Sequence, residues 1–176
     1  MKHLVTALTV FAAAALAVSC DKDTISPEEL FNDGSKLAKT TIHTKSDDPE
    51  DLVTTFVKPV VYRTSDLEGQ SWFCANSGGK MVYDMFMLSI YFDSIDKLQV
   101  GDTLKVNRFL FSFFASSDSN AHTHSFGGKI TLADKGEDYV ILRFHKVSFN
   151  CSFGNYVTDG YLYCTLQDEV PSISAY

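Results

Sequence analysis

The sequence lacks the short motifs that mark many hydrolases and nucleotide-binding proteins. It contains neither a Gly-x-Ser-x-Gly nucleophile motif nor a His-Glu-x-x-His zinc motif. Its Gly-Lys dipeptides at residues 79–80 and 128–129 lack the Ser or Thr that follows the lysine of a phosphate-binding loop. These absences favour a non-enzymatic protein, with no catalytic residue, metal ligand set or cofactor indicated.

Basic residues are also scarce. The chain has 15 Lys and Arg against 22 Asp and Glu, a formal net charge of −7. A nucleic-acid partner requires a cluster of basic side chains that neutralises phosphates. The composition therefore predicts no nucleic-acid binding.

The longest apolar run lies near the N-terminus. Residues 4–18 are uncharged and follow Lys2, and the run leads through Ser19 to Cys20. This pattern is typical of a cleaved secretory signal, since about fifteen residues are too few to span a bilayer comfortably. Residues 16–20 read LAVSC, which resembles the lipobox of bacterial lipoproteins. The resemblance implies that Cys20 is acylated and anchors the mature chain to a membrane.

The residues after the lipobox bear on the choice of membrane. Asp21, directly after the cysteine, resembles the inner-membrane retention signal of enteric bacteria. The acid-rich start DKD also resembles the surface-export signal of Bacteroidota-type lipoproteins, and residues 23–25, 93–95 and 102–104 resemble the O-glycosylation signal of that group. We favour the second resemblance. It implies an outer-membrane lipoprotein of the cell envelope, either surface-exposed or periplasm-facing.

We divide the chain into a signal peptide (1–19), a tether with a short helix (20–51) and a single β-rich domain (52–176). Residues 26–29 read SPEE, a capping box with proline at the first helical position, and predict one short helix. Residues 48–51 read DPED and predict the start of a second.

Beyond Val57 the apolar residues alternate with a period of two, which is typical of strands. We expect an all-β fold: an antiparallel β-sandwich of seven to nine strands with one or two short N-terminal helices. A lipocalin-like β-barrel is the alternative. Residues 72–166 resemble, in overall pattern, uncharacterised β-rich envelope lipoproteins, a resemblance that implies location but no substrate.

Two C-terminal hairpins have predictable turns. A loop at residues 134–138 pairs Ala133 with Tyr139, and a turn at residues 154–155 pairs Cys151 with Thr158.

This register limits the disulfides that the three remaining cysteines can form. Cys151 and Cys164 would lie ~20 Å apart, whereas bridged Cα atoms approach within roughly 7 Å. A disulfide, if formed, would therefore join Cys74 to one of the other two. The alternative is that all three are small buried side chains.

The strand at residues 108–115 is apolar on both faces, which predicts that both faces are covered. The N-terminal segment, with Leu52, Val53 and Phe56, is the expected cover. A ligand or a partner protein is the alternative.

The last hairpin carries the best candidate binding face. Tyr161 and Tyr163 alternate beside Asn150 and Asp159, and such rings among hydrogen-bonding groups suit a sugar or peptide. The first hypothesis is therefore a non-enzymatic, lipid-anchored envelope protein that binds a glycan or protein partner or acts in a surface assembly.

Two other hypotheses remain open. The first is a barrel that holds a small apolar ligand beside the strand at residues 108–115. The second is a metal-dependent hydrolase built on His122 and His124, which would require His145 or a carboxylate as a further ligand.

Overall fold

Most of the described chain is β-strand. The computed structural model describes residues 23–44, 51–77, 86–113, 125–151 and 154–169. Within these ranges the α-helix α1 spans Pro27–Asn32, and one-turn 3-10 helices lie at Gly34–Lys36 and Ile95–Lys97. The strands β1 to β8 are Lys39–Thr44, Asp51–Tyr62, Gln70–Ser77, Phe86–Asp93, Val106–Phe113, Ser125–Lys135, Tyr139–Cys151 and Gly154–Gln167. The prediction of an all-β fold with a short N-terminal helix is confirmed.

All eight strands belong to one sheet with the order β5-β4-β3-β2-β1-β8-β7-β6. Each neighbouring pair in this order is antiparallel, and the last strand, β8, returns beside the first. Thr103, just before β5, bridges Thr131 of β6, and the amide of Leu104 donates to the carbonyl of Ile130 at 2.8 Å. The two ends of the sheet therefore approach each other at this bridge.

Bulges account for the curl of the sheet. The pairing register shifts within β2, between β4 and β5, and within β6 and β7. Lys58 and Lys146 lie inside two of these shifts and have positive φ angles of 48° and 45°. A bulge bends its strand and increases the local twist. The sheet consequently wraps one face, which we call the inner face, around the hydrophobic core.

The inner face is filled by aromatic and branched aliphatic side chains. Phe56 stacks on Phe144 with ring centroids 6.4 Å apart, and Phe149 stacks on Tyr156 at 4.9 Å. The largest fully buried side chains of this core are Tyr156, Phe73, Phe92, Phe144, Phe149, Leu88, Ile90, Ile95, Ile130 and Leu132. Alternation along each strand therefore sends one set of apolar residues inward, as the period of two predicts.

Helix α1 covers the outer face of the sheet at β6, β7 and β8. The hydroxyl of Ser26 accepts from the amide of Glu29 at 3.2 Å, and the carboxylate of Glu29 accepts from the amide of Ser26 at 2.9 Å. This is the predicted capping box, and it confirms the first predicted helix. Leu30 of α1 is fully buried in a second apolar cluster with Ala133 and Ile141. The N-terminal segment thus adds a layer outside the main core.

Strand β1 lies within residues 20–51, the range predicted as a tether. It pairs with β2 on one side and with β8 on the other. Its Thr40 and Ile42 are buried, whereas Lys39 and His43 are exposed. The strand is short and mostly polar, so its alternation is easily overlooked in the sequence.

The second predicted helix is wrong, since strand β2 begins at Asp51. Within the described residues, the expected cover of the strand at residues 108–115 by this segment is not found. Strands β3 and β4 lie between β2 and β5 in the sheet. Val53 is 63% exposed and Leu110 on β5 is 37% exposed. The side chain of Leu52 and residues 114–115 lie outside the described part of the chain.

Both predicted hairpin registers are wrong, and the size of the shift changes at each bulge. Leu132 pairs with Leu142 instead of Val140, and Phe149 pairs with Tyr156 instead of Gly160. The turn predicted at residues 154–155 is incorrect, because Gly154 already belongs to β8 and pairs with Cys151. At Leu132 and Phe149 the shift is an even number of residues, which keeps these side chains on their predicted faces. Beyond a bulge the shift is odd: Val140 pairs with Lys135, three residues from its predicted partner Leu132.

The described thiols are unpaired. Cys74 and Cys164 are both free, and Cys164 is fully buried in the core. Burial strongly raises the pKa of the Cys164 thiol, and it also raises the pKa of Cys74. The side chain of Cys151 lies outside the described residues.

Candidate binding cleft

Asp159, Tyr161 and Tyr163 alternate along the outer face of β8, as the sequence predicts. Asn150, the fourth predicted residue, lies on β7 opposite Asn155, which is six residues along β8 from Tyr161. The side chain of Asn150 is outside the described set. The structure therefore places Asp159, Tyr161 and Tyr163 on one face of β8 and Asn150 away from them.

Tyr163 is engaged by contacts within the protein. Its ring centroid lies 5.1 Å from that of Phe31 on α1 and 5.3 Å from that of Tyr139 on β7. Burial and the nearby charge of Asp138 raise the pKa of the Tyr163 phenol. The ring therefore helps to seat α1 on the sheet.

Tyr161 forms one unit with Arg143 and Asp159. The guanidinium carbon of Arg143 lies 5.1 Å from the ring centroid of Tyr161, its direct neighbour across the β7–β8 pair. Nη1 of Arg143 donates to the carboxylate of Asp159 at 2.8 Å and to the carbonyl of Phe144. These acceptors fix the plane of the guanidinium beside the Tyr161 ring.

The carboxylate of Asp159 is held in its charged form. Its Oδ1 atom also accepts from the amide of Lys146 at 3.2 Å. Burial alone would raise the pKa of Asp159, but the hydrogen bonds from Arg143 and Lys146 outweigh it and lower the pKa below the ordinary value.

These side chains border an open cleft of about 420 Å³ on the outer face. One wall comes from the segment that joins α1 to β1, together with β1 itself, and the other wall comes from β7 and β8. The lining residues are Ser35, Lys36, Leu37, Lys39, Thr41, Arg143, Val157, Asp159, Gly160 and Tyr161. The volume lies within the range of small-molecule sites, roughly 300–1,000 Å³.

The base of the cleft depends on a close contact between two backbone segments. The amide of Ala38 donates to the carbonyl of Tyr161 at 2.8 Å, and Leu37 forms a bridge with Tyr161. Gly160 has a φ of 123°, and a Cβ built there would lie 2.6 Å from the Cα of Ala38. Because residue 160 is glycine, the segment that joins α1 to β1 can pass over β8 in backbone contact with it.

The charge of the cleft differs in sign from that of the whole chain. Lys36, Lys39 and Arg143 line it against one carboxylate, Asp159, whereas the chain carries a net charge of −7. Sequence reasoning missed these three cations because it placed two of them in a tether. The alternation of Lys39, Thr41 and His43 with buried residues was the signal that could have revealed them.

His145 contacts two polar groups. Its Nε2 atom lies 2.9 Å from the hydroxyl of Thr131 and 3.5 Å from the carboxylate of Asp23. Within the described residues, no group of three or more His, Cys, Asp or Glu side chains could hold a metal ion. His122 and His124 lie outside those residues.

An aromatic row on the outer face of β2 to β5 was also missed. Tyr62, Trp72 and Tyr91 are cross-strand neighbours whose ring centroids lie 5.2 and 5.9 Å apart, with interplanar angles of 24° and 14°. Arg108 of β5 continues the row, its guanidinium 5.8 Å from the Tyr91 centroid. These rings stack on one another, so the row stabilises strand pairing.

No protein-family model matches the chain, and no curated protein or solved structure shows significant similarity to it. None of the helices in the described ranges has the length and apolar character needed to cross a bilayer.

Proposed function

We propose that this chain is a non-enzymatic lipoprotein of the cell envelope that binds a glycan or protein partner through the cleft beside Tyr161. An acylated Cys20 would anchor it to the outer membrane, facing the cell surface or the periplasm. The observation that carries the binding role is the polar cleft of about 420 Å³, which is bordered by two residues already singled out in the sequence, Tyr161 and Asp159.

The polar groups that line the cleft are suited to binding a polar partner. Guanidinium, ammonium, carboxylate and hydroxyl groups converge on one concavity, which allows hydrogen bonds to a polar partner in several directions. The ion pair between Arg143 and Asp159 holds two of these groups in place before a ligand arrives. A preorganised polar site loses less entropy on binding.

The proposed anchor would hold this cleft close to the membrane. Asp23, three residues after Cys20, already lies within 3.5 Å of His145, and Ile25 is buried against the sheet. The folded domain therefore begins almost at the proposed lipid attachment site. A protein partner or glycan at the same membrane would meet the cleft at a high local concentration.

The filled inner face favours an external partner over an enclosed apolar ligand. Phe73, Phe144 and Phe149 are buried against their neighbours, and Phe109 on β5 packs on Phe149 with centroids 5.1 Å apart. In the described residues, side chains thus occupy the space that an apolar ligand would need.

The anchor is tested by metabolic labelling with a palmitate analogue. Wild-type protein should incorporate the label and fractionate with outer membranes, and Cys20→Ala should remove the label. Labelling that persists in the variant would contradict anchoring through Cys20.

The binding site is tested by screening the full mature chain, in detergent, against a glycan array and a library of envelope peptides. Thr41→Trp should block the cleft, since Thr41 lines it on β1. Thr165→Trp is the matched control on the exposed face of β8, outside the cleft lining. Binding lost only in Thr41→Trp supports the proposal. Binding unchanged in both variants, or no binding by wild type, contradicts it.

A further inference from the structure

We propose that the ligand of the cleft is an acidic saccharide, whose carboxylate or sulfate is bound by Lys36 and Lys39 and whose hydroxyls contact Thr41 and Tyr161. This inference rests on the proposed function, and it adds the chemical class of the ligand. It depends on the position of the two lysines relative to the carboxylate in the same cleft.

Lys39 is a cationic group that Asp159 does not neutralise. The two residues are direct partners in the β1–β8 register, but no ion pair joins them within the described part of the chain. Oδ1 of Asp159 is engaged by Arg143 and by the amide of Lys146. The carboxylate is therefore directed toward β7, and the exposed ammonium of Lys39 is left to bind an anion.

Lys36 provides a second cation, and its existing ion pair with Asp33 is weak. Its Nζ lies 3.8 Å from the carboxylate of Asp33, and the two side chains are 46% and 47% exposed. An ion pair of this length and exposure contributes little free energy. A ligand anion can therefore recruit Lys36 without breaking a strong interaction.

The charges of Arg143 and Asp159 cancel, so the excess positive charge of the cleft lining comes from Lys36 and Lys39. This excess is small. A long polyanion such as nucleic acid needs several more phosphate contacts for stable binding. One or two negative groups on a compact ligand match the two lysines better.

The remaining polar lining identifies the rest of the ligand as a polyol. The hydroxyls of Ser35, Thr41 and Tyr161 line the same space. Those of Thr41 and Tyr161 can donate or accept hydrogen bonds, whereas that of Ser35 donates to Asp33 and can accept from a ligand. Leu37 and Val157 supply a limited apolar surface. A saccharide presents this combination of hydroxyls and small apolar patches, and a uronate or sulfate group adds the charge.

The test is calorimetric titration of the full mature chain in nanodiscs with a galacturonate disaccharide, a monosulfated galactose disaccharide and a neutral galactose disaccharide. At least one acidic probe should bind, with an affinity that falls as salt is raised. The neutral probe should bind at least tenfold more weakly. Lys39→Gln should weaken binding of the acidic probe about tenfold, because it removes one charge-assisted hydrogen bond.

Lys36→Gln should weaken binding in the same direction, and Lys105→Gln is the matched control. Lys105 is exposed just before β5 and does not line the cleft. Equal losses in all three variants would show a non-specific charge effect and overturn the inference. An unchanged affinity in both cleft variants would also overturn it.

The result with the neutral probe separates this inference from the proposed function. Equally tight binding of the neutral saccharide, with loss in Thr41→Trp, would refute the acidic ligand and leave the glycan-binding role intact. Binding of no saccharide, with an envelope peptide captured at the cleft, would also refute the inference while the protein-binding form of the function stands. Failure of every ligand in the binding screen would refute both.

Discussion

Gly160 and Ala38 bring two distant segments of the chain into backbone contact. A Cβ at position 160 would lie 2.6 Å from the Cα of Ala38. The amide of Ala38 also donates a hydrogen bond to the carbonyl of Tyr161, the residue that follows Gly160. The linker between α1 and β1 is thereby fixed across β8. This contact sets the distance between the two walls of the cleft.

We predict that Gly160→Ala destabilises the domain by about 3 kcal/mol, the sum of an unfavourable φ and a steric clash. Gly101→Ala is the control, because Gly101 also has a positive φ, 98°, but nothing lies within 4 Å of a Cβ there. The control should cost only about 1 kcal/mol. Urea denaturation measures both, and equal costs would contradict a role for the Ala38 contact.

The sequence could predict the faces of the strands but not the pairing between them. Alternation places Ile130, Leu132 and Phe149 inward in any register that differs by two residues. The bulge near Lys146, with its φ of 45°, is marked only by a change of phase in the alternation between Phe144 and Val147, and it changes which residues are opposite one another. The all-β class was therefore predictable, and the hairpin registers were not.

The cleft was only half predictable for a related reason. Asp159 and Tyr161 lie in a strongly alternating strand, so their outward orientation could be read directly. Lys39 is about 120 positions away in the sequence and becomes their neighbour only because β8 returns beside β1. Local patterns contain no information on that return.

Leu30 tests the attachment of α1 to the sheet. The side chain is fully buried, so Leu30→Ala should destabilise the domain by about 2–4 kcal/mol through the cavity it leaves. Phe31→Ala is the control on the same helix. Phe31 is 63% exposed and contacts Tyr163, so its removal should cost about 0.5–1 kcal/mol. Thermal denaturation compares them, and a smaller loss for Leu30→Ala would show that α1 is not firmly packed.

Asp159 should contribute a pH-dependent increment of stability. Its pKa is lowered in the folded protein, so the contribution is present above the ordinary value of 3.8 and is lost as pH falls through the folded pKa. Because the side chain is 48% exposed, the increment should be under about 1 kcal/mol. Asp159→Asn should therefore be less stable than wild type at neutral pH and converge with it below pH 3.8. A difference that is independent of pH, measured by urea denaturation, would contradict this role for the charge.

His145 should also make the stability of the folded protein depend on pH, here because the protein disfavours the positively charged form of the side chain. Burial lowers its pKa below 6.5, helped by the positive charges of Lys129 and Arg143, and the carboxylates of Asp23 and Asp159 oppose the shift without cancelling it. The folded protein consequently binds a proton at His145 less readily than the unfolded chain does. By linkage, stability falls as pH drops through 6.5 and reaches its lower level below the folded pKa.

We therefore predict that His145→Gln, which keeps a hydrogen-bonding side chain near Thr131, removes this loss. Between pH 7.5 and pH 5.5, wild type should lose up to about 1 kcal/mol more than the variant. Chemical denaturation across this range measures the profiles. A steeper profile in His145→Gln than in wild type would mean that protonation strengthens the contact with Asp23 by more than burial of the charge costs.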